Sequence, residues 1–241
     1  MLKKVKTELH RRWCGLLVLT VRLTLLFSIL LAAPTGVQGK EPPVNRFEWQ
    51  IKFFEVRDKA APPPQNGTLF VGSSTFTKWT ELENVFRDFK AINRGFGGST
   101  IPEINNYVDR IVTKYKPSRI VFYAGTNDIA EGHSGKQVSA DFQTFLRKIQ
   151  SALPDTEVYF ISMSMAPCRE RFASEYDAGN SLIHSLAEHT AHCHYIDVTA
   201  AMHDANGNLR QDYFGADRLH MTADGYRVWT PLIRQALLSG K

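Results

Sequence analysis

The chain has 241 residues, 43% of them apolar and 22% charged, which is enough to bury one sizeable core plus a short additional segment. Of its 29 bases and 24 acids, the first 39 residues take six bases (Lys3, Lys4, Lys6, Arg11, Arg12, Arg22) and one acid, Glu8. The remaining charges cancel from Lys40 onward, so the body lacks the basic footprint of a nucleic-acid-binding protein and that class of partner is excluded.

The N-terminus accounts for the formal charge of +5. A basic start, a largely apolar run over residues 23–33 and small residues near Val37 and Gly39 have the layout of a secretory signal. Cleavage after Gly39 is preferred to cleavage after Ala33, which would place Pro34 first. An uncleaved anchor is the alternative, and Arg22 interrupts it at a cost of about 3 kcal/mol near a bilayer centre. Cys14 precedes the apolar run, which argues against a lipoprotein attachment. The expected location is therefore outside the cytoplasm, periplasmic or secreted, with any membrane contact made through this segment.

Residues 40–66 form a packing helix and a Pro-rich linker: Phe47, Ile51 and Phe54 fall at helical spacing, and Pro62, Pro63 and Pro64 stop the helix. From residue 67 onward short β-rich runs alternate with helical periods. Strands are expected over 68–73, about 90–94, 119–124, 157–163 and 194–198. Ile101, Ile104, Val108, Ile111, Val112 and Tyr115 keep one apolar helical face, as do Val138, Phe142, Phe145, Leu146 and Ile149. Trp79, Phe86 and Phe89 suit the buried face of a first crossover helix better than an acyl pocket. Strand and helix in alternation, with right-handed crossovers, predict a doubly wound α/β sandwich of three layers around a five-stranded parallel sheet. Reactive loops then lie at the carboxyl ends of the strands.

Several of those loops carry polar residues beyond what a turn needs. Ser74 follows the run Leu69-Phe70-Val71 and enters a helix at its N-terminus, where it reads as a nucleophile or simply as a cap. Asn93 to Thr100 contains Gly97 and Gly98, which let backbone amides approach a bound oxygen or merely make a tight turn. Asn127 follows the apolar strand 120–124 and can donate its side-chain amide to an oxyanion. Asp217 precedes His220 by three residues, so its carboxylate can bond one ring nitrogen while the other faces a nucleophile. Each element is ambiguous alone. Their joint occurrence on one sheet edge is what points to acyl transfer.

These segments resemble the conserved blocks of SGNH hydrolases, also called GDSL-like lipases and esterases, over residues 68 to about 238. The resemblance implies a flavodoxin-like α/β/α sandwich, with Ser74 as nucleophile and Asp217 and His220 as its partners. It implies an oxyanion hole made by the Ser74 and Gly98 amides and the Asn127 side chain. Ser73 stands where the family commonly has aspartate, as in a Gly-Ser-Ser subgroup similar to platelet-activating-factor acetylhydrolase-like esterases, which leaves Ser73 as a minor rival nucleophile. No G-x-S-x-G elbow occurs, which argues against the α/β-hydrolase fold. The implied activity is hydrolysis of small-molecule or carbohydrate esters, with no cofactor and no metal. A lysophospholipase or thioesterase, or a glycan-binding module without turnover, are the alternatives.

His184, His189, His192, Cys193 and His194 fit no zinc spacing. Cys168 and Cys193, the only cysteines beyond Cys14, fall at opposite ends of successive strands, too far apart to bridge. No long apolar insertion suggests a lid, so a small acyl group such as acetyl is favoured.

Overall fold

The computed structural model describes residues 46–240. The segment 1–39 read as an export signal lies outside the described residues. No helix among the described residues is long and apolar enough to cross a membrane.

Helix α1 (Glu48–Ala60) opens the described chain and turns Ile51 and Phe54 inward. It ends at Ala61, directly before the prolines, which cannot donate a helical hydrogen bond. The strands follow as β1 (Thr68–Gly72), β2 (Ile92–Gly95), β3 (Arg119–Tyr123), β4 (Glu157–Ile161) and β5 (Cys193–Ile196). Their order in the sheet is β2-β1-β3-β4-β5, with every neighbouring pair parallel. The helices between and beyond them are α2 (Ser74–Lys78), α3 (Leu82–Val85), α4 (Ile101–Ile111), α5 (Thr126–Ala130), α6 (Gly135–Ala152), α7 (Ala173–Glu188) and α8 (Ala223–Ser239).

Strand alternation divides the apolar side chains between two cores. Leu69, Val71, Ile120, Phe122, Val158 and Phe160 enter the core covered by α1, α4, α6 and α7. Phe70, Val121, Tyr123, Tyr159 and Ile161 enter the other, covered by α2, α3 and α8. Parallel strands buried on both faces need near-continuous apolar runs, which is what β1, β3 and β4 supply. Phe122 lies within 4.6–5.9 Å of the rings of Phe142, Phe145 and Phe160, and burial of each such side chain contributes about 1.5–3 kcal/mol. The order 2-1-3-4-5 reverses between β1 and β3, and a crevice opens there at the carboxyl ends of the strands. Gly72 ends β1 at this point; a Cβ there would meet the Tyr123 carbonyl oxygen at 2.1 Å, so only glycine allows β1 and β3 to close up.

The first crossover departs from expectation. Residues 74–89 do not form one helix but break into α2, α3 and a 3₁₀ turn at Arg87–Phe89. Ser74, Thr75 and Thr77 are weak helix formers, and Trp79 leaves the helical region at φ −81°, ψ 77°. Its indole stacks on Tyr226 of α8 at 4.6 Å. Trp79 and Phe86 are buried as their spacing suggested, but tertiary contacts place them rather than a shared helical face. Strand β2 likewise begins later than expected, because Lys90 turns through the left-handed region at φ 52°.

Candidate active site

Ser74 is the first residue of α2, immediately past the end of β1. The Ser73 amide donates to the Tyr123 carbonyl at 3.2 Å, tying this turn to β3, and the Tyr226 hydroxyl donates to the Thr75 carbonyl at 2.8 Å, tying it to α8. Ser73 itself is 2% exposed. It lies beneath the turn and does not line the cavity that Ser74 lines.

The glycine loop passes close to Ser74: a Cβ on Gly97 would lie 3.8 Å from the Ser74 Cβ. Gly98 adopts φ +84°, where L side chains are strained. The Gly97 amide donates to Gln50 Oε1 at 3.3 Å and the Ser99 amide to the Phe96 carbonyl at 3.4 Å. Among the described residues the Gly98 amide between them donates to no acceptor. Gly98 is not among the residues that line the cavity; it is coupled to it through the next carbonyl, that of Ser99, which accepts from Asn127 Nδ2 at 3.1 Å.

Asn127 lies in the first turn of α5, which starts after Gly125 at φ +112°. Its orientation is set by Arg169, which sequence reading missed. Arg169 Nη2 donates to Asn127 Oδ1 at 2.9 Å and Nη1 donates to the Thr126 carbonyl at 2.6 Å. A guanidinium can only donate, so the oxygen of the amide must face Arg169 and the NH₂ must face the other way. One Nδ2 hydrogen goes to Ser99 and the second remains available. Arg169 follows β4 on the edge that carries the other loops, and that position was the signal that could have found it.

Asp217 and His220 form the last element. Asp217 Oδ1 accepts the amides of Leu219 and His220, each at 3.0 Å, and Oδ2 accepts from His220 Nδ1 at 2.6 Å. The bond to His220, reinforced by those amides, holds the Asp217 carboxyl well below the usual carboxylate range. Arg218, at φ 57°, supplies the left-handed turn that lets the chain fold back within three residues. His220 Nε2 is buried and without a partner among the described residues.

Ser74, Asn127, Arg169 and His220 line one small cavity of about 30 Å³. The nucleophile and base candidates share its walls without a direct hydrogen bond, a looseness common in sites that tighten on substrate.

The other groups weighed from the sequence sit elsewhere. His192 Nδ1 and His194 Nε2 both bond Glu157, the first residue of β4, at 2.8 and 2.6 Å, while His189 Nδ1 bonds the Ser185 carbonyl at 2.8 Å. Cys168 and Cys193 are free thiols, the first exposed and the second buried.

A cluster that the sequence gave no reason to expect is Asp128, His133 and Asp141, whose ligand atoms lie within 4.8 Å of one another. Asp128 Oδ1 accepts the Ile101 amide at 2.9 Å and so holds the start of α4. Burial pushes its carboxyl up to about 6. The folded state therefore binds a proton more tightly than the unfolded state, and stability falls as pH rises from about 4 to about 6, by at most about 3 kcal/mol. His133 and Asp141 are the titratable groups facing it. Asp128→Asn keeps the acceptor for Ile101 and removes the proton, so its melting temperature is expected to decline less than wild type between pH 4 and pH 7. An unchanged decline in thermal melts would assign the pH dependence to other groups.

Residues 69–228 match the model of the GDSL-like lipase/acylhydrolase family. The chain belongs to that family. Among solved structures, an acylhydrolase candidate from Bacteroides fragilis superposes with a TM-score of 0.68 at 22% identity, covering 83% of this chain and 99% of that one. A GDSL-like lipase from Bacteroides thetaiotaomicron gives 0.67 at 21%, covering 79% and 98%. A variant of an acetyl-xylooligosaccharide esterase from Geobacillus gives 0.58 at 14%, covering 72% and 94%. At such identities these structures bear on the fold, and their sandwich is the one found here. No curated protein sequence matches the chain. Membership in the family makes this chain an esterase-type hydrolase.

Proposed function

We propose that this GDSL-family hydrolase cleaves short acyl esters, acetyl esters of small molecules or carbohydrates above all, through a Ser74-His220-Asp217 triad, and that it acts outside the cytoplasm. The observation that carries the reading is the shared cavity, whose walls include Ser74, Asn127 and His220, the last with its Nε2 unpartnered among the described residues. His220, held by Asp217 with its proton on Nδ1, takes the Ser74 proton as Ser74 Oγ attacks the ester carbonyl. The resulting oxyanion is stabilised by the Ser74 and Gly98 amides and by Asn127, and collapse expels the alcohol, which takes the proton from His220. Water, deprotonated by the same imidazole, then releases the acid.

The small cavity supports a short acyl group. A site of about 30 Å³, where roughly 10–15 Å³ holds one water, has room for about two water-sized groups and so for an acetyl unit rather than a long chain. The Geobacillus neighbour, described as an acetyl-xylooligosaccharide esterase, agrees with a carbohydrate ester as substrate.

The test is covalent labelling by a fluorophosphonate together with hydrolysis of p-nitrophenyl esters of increasing length. A phosphonyl adduct on Ser74 and a steep fall in kcat/KM beyond short acyl groups are expected. Absence of an adduct would leave a binding module without turnover, and a preference for long acyl chains would favour a lysophospholipase or thioesterase. Asn127→Ala is expected to lower kcat by about 10²–10³ with little change in KM, because its amide acts on charge that exists only in the transition state. Steady-state kinetics showing an unaltered kcat would make Asn127 a structural residue.

A further inference from the structure

Helix α1 sorts its charges in a way that packing alone does not require. Its acids all turn toward the body: Glu48 and Glu55 bond Arg110 at 2.8 and 2.7 Å, and Asp58 bonds Arg94, Lys114 and Tyr115 at 2.5–2.7 Å. Its outer face is left apolar, with Trp49, Phe53 and Val56 exposed by 69%, 56% and 64%. At 3.6 residues per turn these three and Ala60 form one stripe, with Lys52 and Lys59 along one border and Arg57 along the other. Arg57 and Lys59 are exposed and form no ion pair among the described residues, and Lys52 reaches only its own helix's Glu48, at 3.9 Å.

An exposed apolar stripe bearing a tryptophan and a phenylalanine, bordered on both sides by cations, matches the lipid-facing side of a helix that lies in a membrane interface, while the opposite side of this helix is taken up by the body. We propose that the outer face of α1 docks on an anionic lipid surface, with Trp49, Phe53 and Val56 entering the acyl boundary and Lys52, Arg57 and Lys59 at the headgroups. Two facts favour lipid over a protein partner or a second copy of this chain. The cations flank the stripe while every acid of the helix is paired on its inner side, so the helix's own exposed face carries a single sign of charge that suits a negative surface and repels its own copy; Glu83, the acid that shares a groove with Trp49, Phe53 and Arg57, is engaged by the Asn93 amide at 2.8 Å. Where the N-terminal segment is retained as an anchor, the alternative to cleavage after Gly39, its apolar run at residues 23–33 ends 14 residues before α1. That length of chain spans at most about 50 Å, so an anchor retained there keeps α1 within that reach of the membrane.

The experiment uses the full chain with Trp13→Phe and vesicles of phosphatidylcholine, with and without phosphatidylserine, carrying brominated acyl chains. Trp79 and Trp229 are buried, so the quenching that disappears on Trp49→Phe reports Trp49 alone, whatever the N-terminal segment does. Substantial Trp49 quenching is expected only with phosphatidylserine present. Lys52→Ser, Arg57→Ser and Lys59→Ser together are expected to weaken that partition about a hundredfold. Circular dichroism should stay unchanged in these variants, because all the altered side chains are exposed. No Trp49 quenching in either vesicle, or equal quenching without the anionic lipid, overturns the proposal. Concentration-dependent association in light scattering, lost in Trp49→Ser/Phe53→Ser while vesicles leave Trp49 unquenched, would assign the face to a second copy instead.

Discussion

Ser74→Ala is expected to remove ester turnover, by about 10⁴-fold or more, while the protein still folds. The serine is the first residue of α2, and the turn that carries it is fixed by other groups: the Ser73 amide on the Tyr123 carbonyl and the Tyr226 hydroxyl on the Thr75 carbonyl. Loss of one hydroxyl at a half-exposed position leaves those bonds in place, so the thermal melt should move little, whereas the nucleophile is gone. Turnover of p-nitrophenyl acetate by purified Ser74→Ala protein at near wild-type rate would remove the serine mechanism. A parallel Ser73→Ala variant separates the two hydroxyls, since Ser73 is buried beneath the turn and its loss should leave the fluorophosphonate adduct on Ser74 intact.

Asp217→Asn should be almost as damaging, at about 10⁴-fold in kcat, for a reason of tautomer rather than shape. Two backbone amides, of Leu219 and His220, point at Oδ1. In the asparagine variant the amide oxygen must take that place, which turns the NH₂ toward His220 Nδ1. A donor there forces the imidazole proton onto Nε2, the atom that has to accept from Ser74. Binding of substrate does not depend on that proton, so KM should change far less than kcat. Wild-type kcat in the variant would show that Asp217 only shapes the loop.

The α/β class, the five parallel strands and the family were determined by the sequence alone. Buried parallel strands need apolar runs too continuous to be mistaken, as in residues 119–123, and the helices between them keep a periodic apolar face, as Val138, Phe142, Phe145 and Ile149 do. Catalytic candidates could be named for the same local reason: Ser74, Asn127 and the Asp217–His220 pair each stand within a few residues of a strand end or helix start.

Tertiary structure decided what depends on distant partners. The crossover at residues 74–89 breaks into pieces because Trp79 packs on Tyr226, about 150 positions away in the chain. Arg169 orients Asn127 across more than 40 residues, and no periodicity or short motif records such a bond. Burial, aided by the neighbouring Asp141 carboxylate, pushes the Asp128 carboxyl up, and helix α1 shows its cation-bordered apolar face only once the body has claimed Glu48, Glu55 and Asp58. A local pattern encodes what one element prefers, while the partner that satisfies or reorients a polar group is supplied by whichever segment the fold brings beside it.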